Sequence, residues 1–160
     1  MKKVPMLETT YRKLSEELDQ LKSEERAKIA KIIDTARELG DLKENAEYHS
    51  AKEQQGLMEA RIAELTDLTG RAQVIDPSKL AHERVSFGST VVLIDEDDEE
   101  ITYTIVGVQE SNPSKGLISI ESPMARALLG KEEGDVVEIQ LPAGLKSFDI
   151  EEIKYVPIEL

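Results

Sequence analysis

The chain contains no cysteine and no tryptophan, and only two phenylalanines. Without cysteine, disulfide bonds and thiolate metal centres are excluded, and nothing points away from a reducing compartment. The scarcity of aromatic rings argues against a platform on which single-stranded bases stack. No apolar run approaches the roughly 18 residues that cross a bilayer, and the charged N-terminus does not resemble a secretory signal. We therefore expect a soluble, cytoplasmic protein with no membrane partner.

The sequence also shows no arrangement typical of a complete catalytic centre. It has no cluster of His and Glu, no nucleophile paired with a base, and no glycine-rich loop that would hold a phosphate. We therefore expect no enzyme activity of its own and no cofactor of its own.

The net charge of −13 is unevenly distributed along the chain. Residues 1–75 hold 13 Lys and Arg against 15 Asp and Glu, whereas residues 76–160 hold 7 against 18. Such an acidic protein does not wrap duplex DNA, because neutralising phosphates requires a surplus of cations. Local contact with nucleic acid is expected only in the first half.

The first half has the apolar spacing of two long helices. No Pro or Gly occurs from Thr9 to Leu39, and Thr9 or Thr10 is in position to cap the start. The first stripe, interrupted by Glu25 and Lys28, consists of Leu14, Leu18, Leu21, Ile29, Ile32, Ile33, Ala36 and Leu39. The second consists of Ala51, Met58, Ile62, Leu65, Leu68 and Ala72. Narrow stripes on helices joined by a short link predict an antiparallel two-helix coiled coil over residues 1–76, with an acidic tip at 40–45.

After residue 76 the apolar period changes from helical to two, which predicts strands. Two β-branched runs flank an acidic turn, Asp95–Glu100, as in a hairpin. The predicted strands are Val85–Ile94, Ile101–Val106, Gly116–Ile120, Val136–Leu141 and Ser147–Val156. A short helix is predicted at Ser122–Gly130 from its Ser cap, its early Pro and its final Gly. The fold class is therefore α+β, with a second domain at residues 77–160.

Two carboxylates, Asp41 and Glu44, lie where the two helical stripes meet. One interpretation is local: Asp41 caps the second helix, Glu44 reaches back as in a capping box, and Gly40 ends the first helix. The other is chemical: carboxylates three positions apart converge on a hard cation such as Mg²⁺. Two acids are too few to hold Mg²⁺ alone, so the other ligands would come from a partner. Both interpretations remain open at this point.

Three cations lie near the same segment, namely Arg37, Lys43 and Lys52. They are suited to contact a phosphodiester. The alternative is that they form ordinary ion pairs along the helices or a solvated face.

The segment from Asp41 to Tyr48, DLKENAEY, together with Gln54-Gln55-Gly56, resembles the tip of the bacterial Gre family of transcript-cleavage factors, GreA type. Further matches are Phe87–Val91 and the stretch from Ser122-Pro123 to Ala125–Lys131. The resemblance covers essentially the whole chain, and the tip shows no departure from the family pattern.

This resemblance implies an N-terminal coiled coil and a C-terminal domain like the FK506-binding proteins. It implies a monomer that binds bacterial RNA polymerase beside the secondary channel and stimulates the polymerase's own cleavage of backtracked RNA. Asp41 and Glu44 would hold a Mg²⁺ ion jointly with the polymerase. Arg37 and Lys52 would face the 3′ segment of the nascent RNA, and Lys43 is added to this group. Ser122 and Pro123 would bind the polymerase.

Other functions predict different behaviour. An inhibitor of the same shape would block the channel without shortening RNA, and a helical-hairpin chaperone would hold unfolded proteins regardless of the tip acids. A free-standing nuclease would cut RNA without polymerase, which two exposed carboxylates are poorly suited to do. A prolyl isomerase would need an aromatic-lined pocket, and the four aromatics of the second half are spread over several strands.

Overall fold

The computed structural model describes residues 2–40 and 45–160, which form two compact units. One unit consists of residues 11–72, and the other combines residues 2–10 with 73–160. The first is helical and the second is built on a mixed sheet, so the predicted α+β class is confirmed. Among the described residues, no helix is both long and apolar enough to cross a membrane.

The helical unit contains the two predicted helical legs. The outgoing leg is α1 (Glu8–Gln20), a π-helical turn (Leu21–Glu25) and α2 (Arg26–Arg37), and the return leg is α3 (Ala46–Arg71). The predicted cap at Thr9 or Thr10 is wrong, because α1 already begins at Glu8. Both threonines therefore lie in the first helical turn.

The π-turn explains the interruption in the first apolar stripe. A strict heptad through Leu18 and Leu21 would continue at positions 25, 28, 32 and 35, but the buried residues are Ile29, Ile33 and Ala36, one position later. A π-turn bonds to the fifth residue instead of the fourth, so it accommodates one additional residue and restores the phase. We call the resulting line of buried positions the seam.

Two residues of the predicted stripe do not lie on this seam. Ile32 is 51% exposed and Leu39 is 67% exposed, so their assignment to the stripe was wrong. The return leg follows its predicted spacing from Ala51 to Leu68, with Ala51, Ile62, Leu65 and Leu68 buried. The assignment of Ala72 to this stripe was wrong, because α3 ends at Arg71. Only the outgoing leg contains an extra residue, and this residue changes which of its apolar side chains are buried against α3.

The second unit contains five strands in one sheet. The strands are β3 (Thr90–Ile94), β4 (Glu100–Val106), β5 (Leu117–Ser119), β6 (Val136–Leu141) and β7 (Gly144–Lys154), in the spatial order β5-β4-β3-β7-β6. All neighbours are antiparallel except β4 and β5, which are parallel. Two further short strands, β1 (Val4–Met6) and β2 (Ala72–Val74), form a separate pair that the sequence analysis did not predict.

The core of this unit lies between the sheet and α4 (Pro123–Leu128), the predicted short helix. Ala125 and Leu128 of α4 have no exposed surface and pack with inward-facing strand residues such as Leu93, Ile105 and Ile150. Alternate residues of each strand supply this core, which is why the period-two pattern located the strands.

The first half of the predicted strand Val85–Ile94 is instead a turn. Gly88 has a φ of +84°, and a Cβ there would overlap the ring of Pro77. Its amide donates to the Ile105 carbonyl at 2.7 Å, and Ser89 N donates to Ser86 O at 3.0 Å. The run has the β-branched composition of a strand, but its backbone turns at Gly88. The left-handed φ of Gly88 and its close approach to Pro77 require this turn.

Candidate functional site

The structure describes both ends of the acidic segment. Arg37 is the last residue of α2, and Asn45 immediately precedes α3. Asp41, Lys43 and Glu44, predicted as metal-binding and RNA-facing residues, lie outside the described residues. Arg37 and Lys52 are both described and exposed.

Asn45, and not Asp41, is the N-cap of α3. Its side-chain Oδ1 accepts a hydrogen bond from the backbone amide of Tyr48 at 3.1 Å. The capping role predicted for Asp41 is therefore wrong, because the helix begins at Ala46, five positions after Asp41. An Asn directly before a helical segment is a recognised capping signal, and attention to it would have located this start.

The same Asn45 side chain also contacts the other helix. Its Nδ2 donates to the backbone carbonyl oxygen of Ala36, in the last turn of α2. That carbonyl also accepts from the Leu39 amide at 3.2 Å. One half-buried side chain thus joins the end of α2 to the start of α3.

Tyr48 covers the seam next to this bridge. Its half-buried ring packs against the cluster formed by Ile29, Ile33 and Ala51. The Arg37 guanidinium lies over the ring, with Cζ 5.9 Å from its centroid, a distance at which cation and ring attract each other. This places a cation of α2 against the first turn of α3.

Lys52 lies further along α3, two turns from its start. Its Nζ donates to Oε1 of Gln55 at 3.1 Å on an exposed surface. The bond lies at the exposed surface of the helix, where an anion can reach the ammonium group. Within residues 2–40 and 45–160, no group of three or more His, Asp or Glu is placed to hold a metal ion.

The donor chemistry of the tip segment suits a hard cation. The sequence from 40 to 45 offers two carboxylates and no imidazole or thiolate, and Mg²⁺ prefers oxygen ligands while retaining several waters. The residue types therefore fit a Mg²⁺ that shares its remaining ligands with another molecule.

The second candidate region contains Ser122 and Pro123. Ser122 Oγ accepts from the Ala125 amide at 3.2 Å, so this serine caps α4 as predicted. Pro123 is the first helical residue and is exposed. Capping does not use the outer surface of either residue, which stays available for contact with a partner.

A cavity of about 200 Å³ lies beside this helix. Its apolar lining comes from Ile101, Tyr103, Met124, Leu141 and Phe148, and its rim includes the acidic turn at 95–97 and Lys146.

Two aromatic residues, Tyr103 and Phe148, thus share one cavity, which the scattered positions of the aromatics in the sequence did not suggest. The other two lie elsewhere: Phe87 is buried, and the ring of Tyr155 stacks on His82 at 5.4 Å. The cavity therefore has an apolar lining with two aromatic rings, not an aromatic cage.

Comparison with known proteins gives matches over nearly the whole chain. Residues 80–155 match the family described as transcription elongation factor, GreA/GreB, C-terminal, and residues 4–74 match the one described as transcription elongation factor, N-terminal.

Individual relatives match over the same length. A transcription elongation factor GreA of a Sulfurovum species is 74% identical, over 100% of this chain and 99% of that protein. The protein of the same name from Nautilia profundicola is 60% identical, over 97% and 96%. Among solved structures, GreA factor homolog 1 of Thermus thermophilus is 29% identical over 96% of this chain and 99% of that one, with a TM-score of 0.44.

Proposed function

Because this chain belongs to the GreA/GreB family of transcription elongation factors, which stimulates RNA cleavage in RNA polymerase complexes, we propose that it lends the carboxylates of Asp41 and Glu44 to the polymerase active centre. On this proposal the chain is an accessory factor, and the polymerase supplies the rest of the catalytic site. The cleaved bond lies in backtracked RNA, and cutting it leaves a new 3′ end that can be extended.

The observation that carries the proposal is the construction of the hairpin end. Asn45 caps α3, so neither tip carboxylate is needed to cap this helix. The contacts of Asn45 with Ala36 and of Tyr48 with Arg37 hold the two helix ends on either side of the acidic segment. Fixing the two helix ends lowers the entropy that must be lost when a partner brings both carboxylates together.

The roles of individual side chains follow from their charge. Asp41 and Glu44 would provide oxygen ligands for a Mg²⁺ shared with the polymerase. When bound, this ion supplies Lewis-acid chemistry, which makes water a better nucleophile and stabilises charge on the leaving oxygen. Arg37 and Lys52 would attract the RNA phosphates and hold the 3′ segment near the tip. Lys43 would add to the same positive charge.

The C-terminal unit would hold the factor on the polymerase. Pro123 is exposed at the start of α4, and Met124 lines the adjacent apolar cavity. An apolar side chain of the polymerase would enter this cavity, since burial of apolar surface is the main favourable term in association. The site of attachment would then lie in a different unit from the chemistry.

The test uses a halted elongation complex carrying end-labelled RNA. Wild-type protein should shorten the backtracked RNA and restore extension, whereas Asp41→Asn should lose this stimulation and still compete with wild type for the polymerase. Asp19→Asn is the matched control, because Asp19 is an exposed acid of α1, separated from the tip segment by the π-turn and α2. Wild-type cleavage by Asp41→Asn would contradict the proposal.

The same assay separates the main alternative. A channel-blocking inhibitor would reduce RNA synthesis without shortening the transcript. Loss of extension in the presence of wild-type protein, with RNA of unchanged length, would therefore favour inhibition over cleavage.

A further inference from the structure

We propose that Asn45 is a positioning residue for transcript cleavage, because its side-chain amide joins the two helix ends that carry the acidic segment. This inference rests on the proposed function for the role of Asp41 and Glu44. The role of Asn45 itself rests on its contacts within the free protein.

The oxygen and the nitrogen of the Asn45 side-chain amide bind different helices. Oδ1 accepts from the Tyr48 amide at 3.1 Å and fixes where α3 starts. Nδ2 donates to the Ala36 carbonyl, nine positions earlier in the chain. Only the second contact crosses from one helix to the other.

Ala36, which accepts the bond from Nδ2, lies in a well-packed part of α2. Ala36 is 2% exposed and is the last buried seam residue of α2. Beside it, Tyr48 packs on Ile29 and Ile33. The bridge therefore ties the start of α3 to a packed part of the seam and not to a loose helix end.

The bridge joins two positions that are nine apart in the sequence. Residues 37–44 lie between the two bridged positions, and they include both acids. Tying the ends of a loop removes many of its conformations before any partner binds. Ligands and catalytic groups must lie within about 0.5 Å of their working positions, so we expect the two carboxylates to reach the required arrangement less often without the bridge.

Capping and bridging can be separated by substitution. Asn and Ser are similarly good N-caps, but only Asn carries an NH₂ group that can donate across to Ala36. Asn45→Ser therefore keeps the cap and removes the bridge, whereas Asn45→Ala removes both. The comparison of the two variants isolates the bridge.

The first measurement is amide hydrogen exchange of the free protein, followed by NMR without polymerase or Mg²⁺. In Asn45→Ser the amides of Glu38 and Leu39, in and after the last turn of α2, should exchange roughly fivefold faster, the factor expected for one lost hydrogen bond. The amide of Tyr48 should exchange as in wild type. In Asn45→Ala all three should exchange faster. Unchanged exchange at Glu38 and Leu39 in Asn45→Ser would overturn the inference.

The second measurement is the Mg²⁺ dependence of RNA cleavage at saturating factor. Asn45→Ser should raise the Mg²⁺ concentration for half-maximal cleavage by about fivefold, matching the loss of one hydrogen bond. Cleavage should recover at high Mg²⁺, and competition for the polymerase should be unchanged. Asn112→Ser, the same substitution in the other unit, is the matched control and should leave the midpoint unchanged.

The outcomes distinguish the two proposals. A lower maximal rate in Asn45→Ser with an unchanged Mg²⁺ midpoint would overturn the positioning role. Absence of cleavage with the wild-type protein would count against the proposed function instead, and the exchange measurement would still decide whether Asn45 holds the helix ends.

Discussion

Glu17 on α1 and Arg61 on α3 are joined by two hydrogen bonds, of 2.9 Å from Nε to Oε1 and 2.8 Å from Nη2 to Oε2. Beyond the π-turn, Arg26 on α2 and Glu59 on α3 repeat the same forked geometry at 2.9 Å for both bonds. Bidentate Arg–Glu pairs of this kind form only when the two helices are aligned so that both hydrogen bonds can be made. They therefore fix the register on both sides of the point where the outgoing leg has its extra residue.

Replacement of Glu17 by Gln should destabilise the helical unit slightly and in a pH-dependent way. The hydrogen bond from Arg61 holds the pKa of the Glu17 carboxyl below its usual value. A lowered pKa contributes stability above the usual pKa of Glu and loses it as the pH falls through the folded-state value. Because Glu17 is 42% exposed, we expect less than about 1 kcal/mol at neutral pH.

The measurement is thermal unfolding of wild type, Glu17→Gln and Glu16→Gln at several pH values. The difference between wild type and Glu17→Gln should shrink below about pH 4 and in high salt. Glu16, the exposed neighbour, is the control and should show little change. An equal loss in both glutamine variants would contradict a specific role for the Arg61 pair.

Deletion of Ser23 should be tolerated by the helical unit. Ser23 lies in the π-turn, and its removal leaves a plain heptad in which Ile29, Ile33 and Ala36 keep their seam positions. The turn can then close as an α-helix, whose bonding geometry is the more favourable one. We expect a melting temperature equal to or above that of wild type.

The control is deletion of Ala30, an exposed residue beyond the π-turn. Here the chain must either keep the π-turn and displace Ile33 and Ala36, or straighten it and bring Lys28 to the position of Ile29. Loss of a buried isoleucine costs roughly 2–5 kcal/mol, so this variant should melt at a markedly lower temperature. Similar melting of the two deletion variants would show that the π-turn does not set the phase.

Replacement of Glu110 by Gln should stabilise the sheet unit at neutral pH. Burial raises the pKa of the Glu110 carboxyl, which is 5% exposed, and hydrogen bonds from the Thr10 side chain and from the amides of Gly107 and Leu7 offset this in part. A Gln side chain keeps an oxygen that accepts the Gly107 bond and removes the cost of burying a charged carboxylate, so we expect a gain of about 1 kcal/mol.

The stability difference between Glu110→Gln and wild type should depend on pH. A raised pKa means that the folded state holds its proton more tightly, so this group's stabilisation is complete below the usual pKa of Glu and is lost as the pH rises through the folded-state value. The advantage of Glu110→Gln should therefore be largest at neutral pH and vanish in acid. Denaturant titrations would measure it, with Glu138→Gln on β6 as an exposed control. A variant less stable than wild type at neutral pH would contradict this account.

Much of the fold follows from local patterns that sequence alone displays. The strands Val136–Leu141 and Ile101–Val106 and the helix after Ser122 were predicted close to their observed bounds, because alternation, capping and a terminal glycine are local signals. The resemblance of the tip also predicted the family, and the matches over both halves of the chain confirm it.

Other features depend on contacts between distant residues, and the sequence analysis did not find them. Val85–Ser89 has the composition of a strand, yet Gly88 turns against Pro77. Tyr103 and Phe148 belong to different strands and meet only when the sheet forms. The roles predicted for Asp41, Glu44, Lys43, Arg37, Lys52, Ser122 and Pro123 in binding remain predictions.

The sequence by itself determined that the chain has a helical half and a strand-rich half, since hydrophobic periodicity is a property of neighbours along the chain. It also carried the acidic motif that identifies the family. The tertiary structure decided which residue starts the return helix, which isoleucines are covered, and that one asparagine joins two helix ends. These depend on the alignment of α2 with α3, because a carbonyl at position 36 becomes a partner for position 45 only when the two helices pack side by side.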